Sequence, residues 1–158
     1  MSTRAILSRQ SLVYSQLGGF RNPLELRRFA VRSFKQALMR GTWRTRLARL
    51  TGRSTQLQHA NVSKKNNARQ ASLGVQTIVL DDIIGSEGRS SDFDNRFWPL
   101  KTKNRDRWVN IAVAINRGIP LPPVELIHTA DGYIVRDGHH RLSVARAFGQ
   151  EVIEAEVV

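Results

Sequence analysis

The chain contains no cysteine. That absence removes disulfides, a thiol nucleophile and thiolate metal sites, and it fits a reducing cytoplasm. Long apolar runs are missing too: none approaches the roughly 18 to 20 residues that span a bilayer, and no secretory apolar stretch follows the first charges. The expectation is a cytoplasmic chain, nucleoid-associated where its partner is DNA, with no transmembrane segment. Acidic residues are scarce in one half only. Residues 1–73 carry 15 Lys and Arg against the single acid Glu25, a net of +14, while residues 74–158 carry 10 basic and 12 acidic residues, a net of −2. The two halves add to the formal charge of +12.

At 158 residues the chain suits one domain of ordinary size with an extension. The charge asymmetry separates a basic arm and linker, 1–73, from a near-neutral part, 74–158, that holds the predicted strands and helix stripes. Removal of 1–73 is therefore expected to leave a folded unit, unless Phe34 or Trp43 covers one of its faces. A polycationic arm is drawn to nucleic acid or anionic lipid. On nucleic acid its binding is expected to be non-specific, salt-dependent and weakened by charge reversal at Arg44, Arg46 and Arg49.

Met1 to Phe20 has little period and reads as mobile. Asn22, Pro23 and Glu25 then mark a helix start, with Asn as cap and Pro in the first turn. The helix is predicted to run to Arg40, where Gly41 interrupts it; a second basic helix follows over Thr42 to Leu50 and stops at Thr51-Gly52. The pair can lie on a membrane, on nucleic acid, or on the chain's own domain. Gln56 to Ser72 is polar and reads as a linker.

Val75 to Leu80 is β-branched and predicts a strand. Asp81 to Gly85 reads as a turn, with the adjacent acids capping it rather than holding a metal. Ser86 to Asp94 reads as a loop bearing Arg89. Arg105 to Arg117 is a helix ended by Gly118, with Trp108, Ile111, Ala112 and Ile115 as its inner face. Pro120, Pro122 and Pro123 lead into a strand at Val124 to His128, which Asp131-Gly132 turns into Tyr133 to Arg136 as a hairpin. Glu151 to Val158 alternates acidic and apolar residues and reads as a strand with one wet face. The class is α+β: a small mixed sheet with packed helices, preceded by a basic helical arm.

Between the hairpin and the last strand lies Asp137-Gly138-His139-His140-Arg141, a sharp turn into a helix that ends at Gly149. A helix start leaves backbone N–H groups without partners and is positive, so it suits an anion. Gly138 permits close approach, Arg141 offers a planar donor fork, and His139 and His140 can donate or accept. The plainer reading is a glycine starting a helix whose His and Arg are merely solvated.

This order of elements, with Leu121-Pro122-Pro123-Val124 followed by Asp137-Gly138-His139-His140-Arg141, resembles the amino-terminal domain of the ParB and sulfiredoxin superfamily over about residues 74–158. The resemblance implies a nucleotide-phosphate site at Gly138, His139, His140 and Arg141, with Arg89 as a second phosphate contact and a nucleoside triphosphate with Mg as ligand. ParB proteins carry Gly-Glu-Arg-Arg at the turn and bind CTP; here His139 and His140 replace Glu and Arg. Sulfiredoxins carry Gly-Cys-His-Arg, but His139 stands at the cysteine position, and cysteine-based reduction of sulfinic acid is excluded by composition. Three functions follow as expectations. The first is a nucleotide-responsive module acting with DNA through the arm. The second is a phosphoryl-transfer enzyme or nuclease using Asp137, His139 and His140. The third is a scaffold that binds no ligand.

Overall fold

The structure, a computed structural model, describes residue 20 and residues 22–60 and 72–158. The expectations for residues 1–19 and for the linker over 61–71 fall outside them. The fold is α+β. Its elements are α1 (Pro23–Leu50), β1 (Gln58–His59), β2 (Gly74–Val79), β3 (Ile83–Ser86), α2 (Arg105–Asn116), β4 (Val124–Thr129), β5 (Gly132–Asp137), α3 (His139–Ala147) and β6 (Val152–Val157). The six strands form one mixed sheet in the order β1-β3-β5-β4-β6-β2. β4 and β5 pair antiparallel as the predicted hairpin, and β6 lies parallel to β4 and antiparallel to β2.

Two strands lie where the sequence reading placed a turn, a loop or the linker. Ile83–Ser86, expected within a turn and loop, is a strand parallel to β5, and only Leu80–Asp82 forms the turn, as a short 3₁₀ helix. Gln58–His59, expected in the linker, pairs parallel with Gly85 and Ser86, and Leu57 beside it is buried. Strands this short carry too little alternation to be read from sequence.

The predicted break at Gly41 does not occur, because α1 is one helix of 28 residues. Asn22 accepts from the Leu24 N–H at 2.8 Å, and Thr51 ends the helix. Gly41 is there for proximity. A Cβ at that position would stand 2.6 Å from the Pro99 carbonyl oxygen and 3.0 Å from Trp98 Cβ. Helix and loop backbones can approach this closely only because the side chain is missing.

The core has two parts. One lies on the sheet and includes Phe93, Phe97, Leu126, Val135, Leu142 and Ala145. The other joins Ala30, Phe34 and Ala37 of α1 to Trp108, Val109 and Ala112 of α2 and to Val144 of α3. α3 is thus packed on both sides, with Leu142 and Ala145 in the first cluster and Val144 in the second. Phe34 covers this second cluster and meets Trp108 edge-on with ring centroids 5.6 Å apart. Trp43 does not; it is exposed.

Candidate functional site

The turn before α3 is built by Gly138, whose φ of +103° is left-handed and favours glycine. Space also requires glycine here: an added Cβ would lie 2.6 Å from Val124 Cγ1. No side chain caps α3, and the first backbone N–H to reach an acceptor is that of Leu142, bonded to Gly138 O at 3.0 Å. The N–H groups of His139, His140 and Arg141 have no intrahelical acceptor. They sit at the positive end of the helix dipole.

Both histidines are buried, which sets aside the plainer reading of solvated rings; α3 is packed on two sides and Phe93 contacts both rings. Phe93 stacks on His139 with centroids 6.1 Å apart and meets His140 edge-on at 5.3 Å. His139 Nε2 lies 2.6 Å from Ser86 Oγ. That hydroxyl already accepts the N–H groups of Gly88 and Arg89 at 3.2 and 3.1 Å. With both lone pairs engaged, it has its proton left to donate, so His139 accepts at Nε2 and its own proton sits on Nδ1. His140 Nε2, in contrast, is buried with no partner.

Burial pushes His139 down to about 4, assisted by the positive charge of Arg89 and by His140 and opposed by Asp137 and Asp92. Burial likewise pushes His140 to about 4, with Arg107 and Arg89 adding to the effect against Asp92 and Asp137. Both rings are neutral at neutral pH. A protonation-driven gain in anion affinity near pH 6.5 therefore has no basis here.

Arg141 is not an open fork. Its Nη1 donates to the carbonyl oxygens of Pro122 and Pro123, the latter at 2.6 Å, and its Nη2 pairs with Asp137 Oδ2 at 2.7 Å. It braces the turn against the Pro122-Pro123 segment. Asp137, expected as a base or Mg contact, is held by that guanidinium. Ser86 and His139 have the spacing of a hydroxyl and its base, but Ser86 is fully buried and anchors the loop.

Arg89 does reach the turn. Arg89, Arg107, Ile111, Asp137, Gly138, His139, His140 and Arg141 together line a recess of about 30 Å³, room for one small anion. Arg107 was not anticipated as a site residue. Its signal was that α2 opens with Arg105 and Arg107, where the helix dipole favours acids. Asp92 orients the Arg89 loop: it is buried, lies 3.6 Å from Arg89 Nη1, and takes Lys101 and Lys103 at 3.0 and 3.1 Å. Burial raises its pKa, yet the hydrogen bonds and charges of the two lysines outweigh that and hold it below the ordinary value. Beyond Arg141, which lines both spaces, is a larger cleft of about 360 Å³ walled by Ile119, Leu121, Pro123, Val152 and Ile153. Among the described residues no group of three or more His, Asp or Glu could hold a metal ion.

Comparison with family models, with curated proteins and with solved structures returns no match to this chain.

Proposed function

We propose that the chain is a ParB-like phosphate-binding module that takes the phosphoryl end of a nucleotide at the start of α3. The observation that carries this reading is the recess itself, which gathers Arg89, Arg107 and the first-turn donors of α3 and counts among its lining residues His140, whose Nε2 is buried and unpartnered. A buried polar nitrogen left unsatisfied costs about 1 to 3 kcal/mol. A phosphate oxygen that reaches this nitrogen relieves it, because a neutral imidazole can carry its proton at Nε2 and donate it. Arg89 and Arg107 are exposed, so an entering anion can draw their guanidinium groups over the recess. The apolar cleft beyond Arg141 has the volume range of organic ligand sites, which suits an ester better than free phosphate.

Binding is favoured over catalysis. Of the three groups expected to do chemistry, Asp137 is paired with Arg141 and His139 accepts from Ser86. Calorimetric titration of the full chain with ATP, CTP, GTP, pyrophosphate and inorganic phosphate tests the reading. At least one should bind saturably, and Arg89→Ala and Arg107→Ala should each weaken it at least tenfold without moving the thermal midpoint. Flat titrations with all five, or an affinity indifferent to both substitutions, would overturn it.

A further inference from the structure

α1 buries one side and leaves the other bare. Ala30, Phe34, Ala37 and Gly41 face the domain. Met39, Trp43, Leu47 and Leu50 do not: they are 59, 58, 54 and 83 % exposed. At about 100° per residue these four fall within an arc of about 80° on the helix, roughly opposite the buried stripe. Four large apolar side chains in a continuous exposed stripe are a docking signature rather than scattered surface residues.

The charges around the stripe identify its partner. Arg32 lies on the same arc about two turns upstream of Met39, with Arg28, Lys35 and Arg46 along its edge. These four side chains have no partner among the described residues, and neither do Arg49 and Arg53. Leu26 to Leu80 contains no Asp or Glu at all. Arg44 is different, because it serves the fold by pairing with the buried Asp94 at 2.9 Å, and Arg40 lies over the Trp98 ring.

A second copy would bring the same arginines against these, so self-association through this face is opposed by charge. Nucleic acid matches the arginines but gives the apolar stripe nothing to bury into. We propose that this face of α1 docks on an anionic lipid bilayer, lying in the interface with Met39, Trp43, Leu47 and Leu50 immersed and the arginines at the headgroups. No helix among the described residues is long and apolar enough to cross a membrane. The contact is therefore with the surface. It is independent of the recess at α3.

The test is co-sedimentation of the full chain with vesicles, together with tryptophan fluorescence. Trp98 and Trp108 are buried, so Trp43 is the tryptophan able to report immersion. Vesicles of equal parts phosphatidylcholine and phosphatidylserine should sediment the protein and shift its emission to the blue, and phosphatidylcholine alone should do neither. Trp43→Glu and Leu47→Glu should weaken binding at least tenfold while keeping the thermal midpoint, because both positions are exposed. Trp43→Phe should bind without the shift. Failure to sediment with anionic vesicles would overturn the proposal, as would equal binding to neutral vesicles. So would binding to duplex DNA or self-association, if Trp43→Glu abolishes it and the vesicles do not bind.

Discussion

Ser86 Oγ lies 2.6 Å from His139 Nε2, joining the last residue of β3 to the first residue of α3 across 53 positions of chain. The same hydroxyl collects the N–H groups of Gly88 and Arg89. One serine thus fixes both the turn histidine and the loop that delivers Arg89 to it. Ser86→Ala should cost about 1 to 3 kcal/mol, because it leaves a buried nitrogen and two N–H groups without a partner. A denaturant midpoint equal to that of the parent would contradict this role.

Gly41→Ala separates two accounts of α1. In an exposed helix interior, alanine stabilises over glycine by about 1 kcal/mol. Here the new methyl meets the Pro99 carbonyl at 2.6 Å, and a backbone carbonyl yields little. The substitution should instead destabilise by about 1 to 3 kcal/mol. Thermal unfolding reads the sign directly.

Phe34→Ala should cost about 3 to 5 kcal/mol, since Phe34 is fully buried against Trp108. Trp43→Ala on the opposite side should move stability by less than about 0.5 kcal/mol. Equal effects in chemical denaturation would contradict the two-sided description of α1.

Acid should destabilise the protein through the two histidines. Their folded pKa values, about 4, lie below the ordinary 6.5. Between those values the unfolded chain binds more protons, so stability rises with pH. The contribution is fully present above pH 6.5 and drains away as pH falls toward 4. A melting temperature that stays flat across this window in the parent, or falls equally in a His139→Gln/His140→Gln double variant, would contradict it.

Much of the fold was readable because local chemistry marked it. Asn22-Pro23 announces the start of α1, Asp131-Gly132 the hairpin, and Gly118 and Gly149, both at positive φ, the ends of α2 and α3. Distance in the chain hid the rest. Gly41 reads as a breaker until Pro99 is placed beside it, and Ile83–Ser86 reads as a turn until β5 pairs with it. Gly138 was legible as the hinge of the site, and Arg89 as its far partner. The roles of the other groups were not. Arg141 offers a fork to phosphate in sequence terms, yet the Pro122 and Pro123 carbonyls claim it. His139 and His140 look titratable until Phe93 and the helices bury them. Arg44 looks like a surface cation until Asp94 takes it into the fold, so charge reversal there tests stability rather than nucleic-acid binding.

The most direct measurement of the central claim is the ¹⁵N resonance of His140 Nε2 while pyrophosphate is added to the ¹⁵N-histidine-labelled full chain. The phosphate-binding account predicts a saturable shift of that nitrogen as it gains a hydrogen-bond partner, with His139 Nε2, already bonded to Ser86, moving less. Arg107→Ala should displace the saturation to higher concentration. A His140 resonance that stays unmoved while the ligand saturates elsewhere on the protein, or no saturable change at any nitrogen, would contradict the assignment of the site.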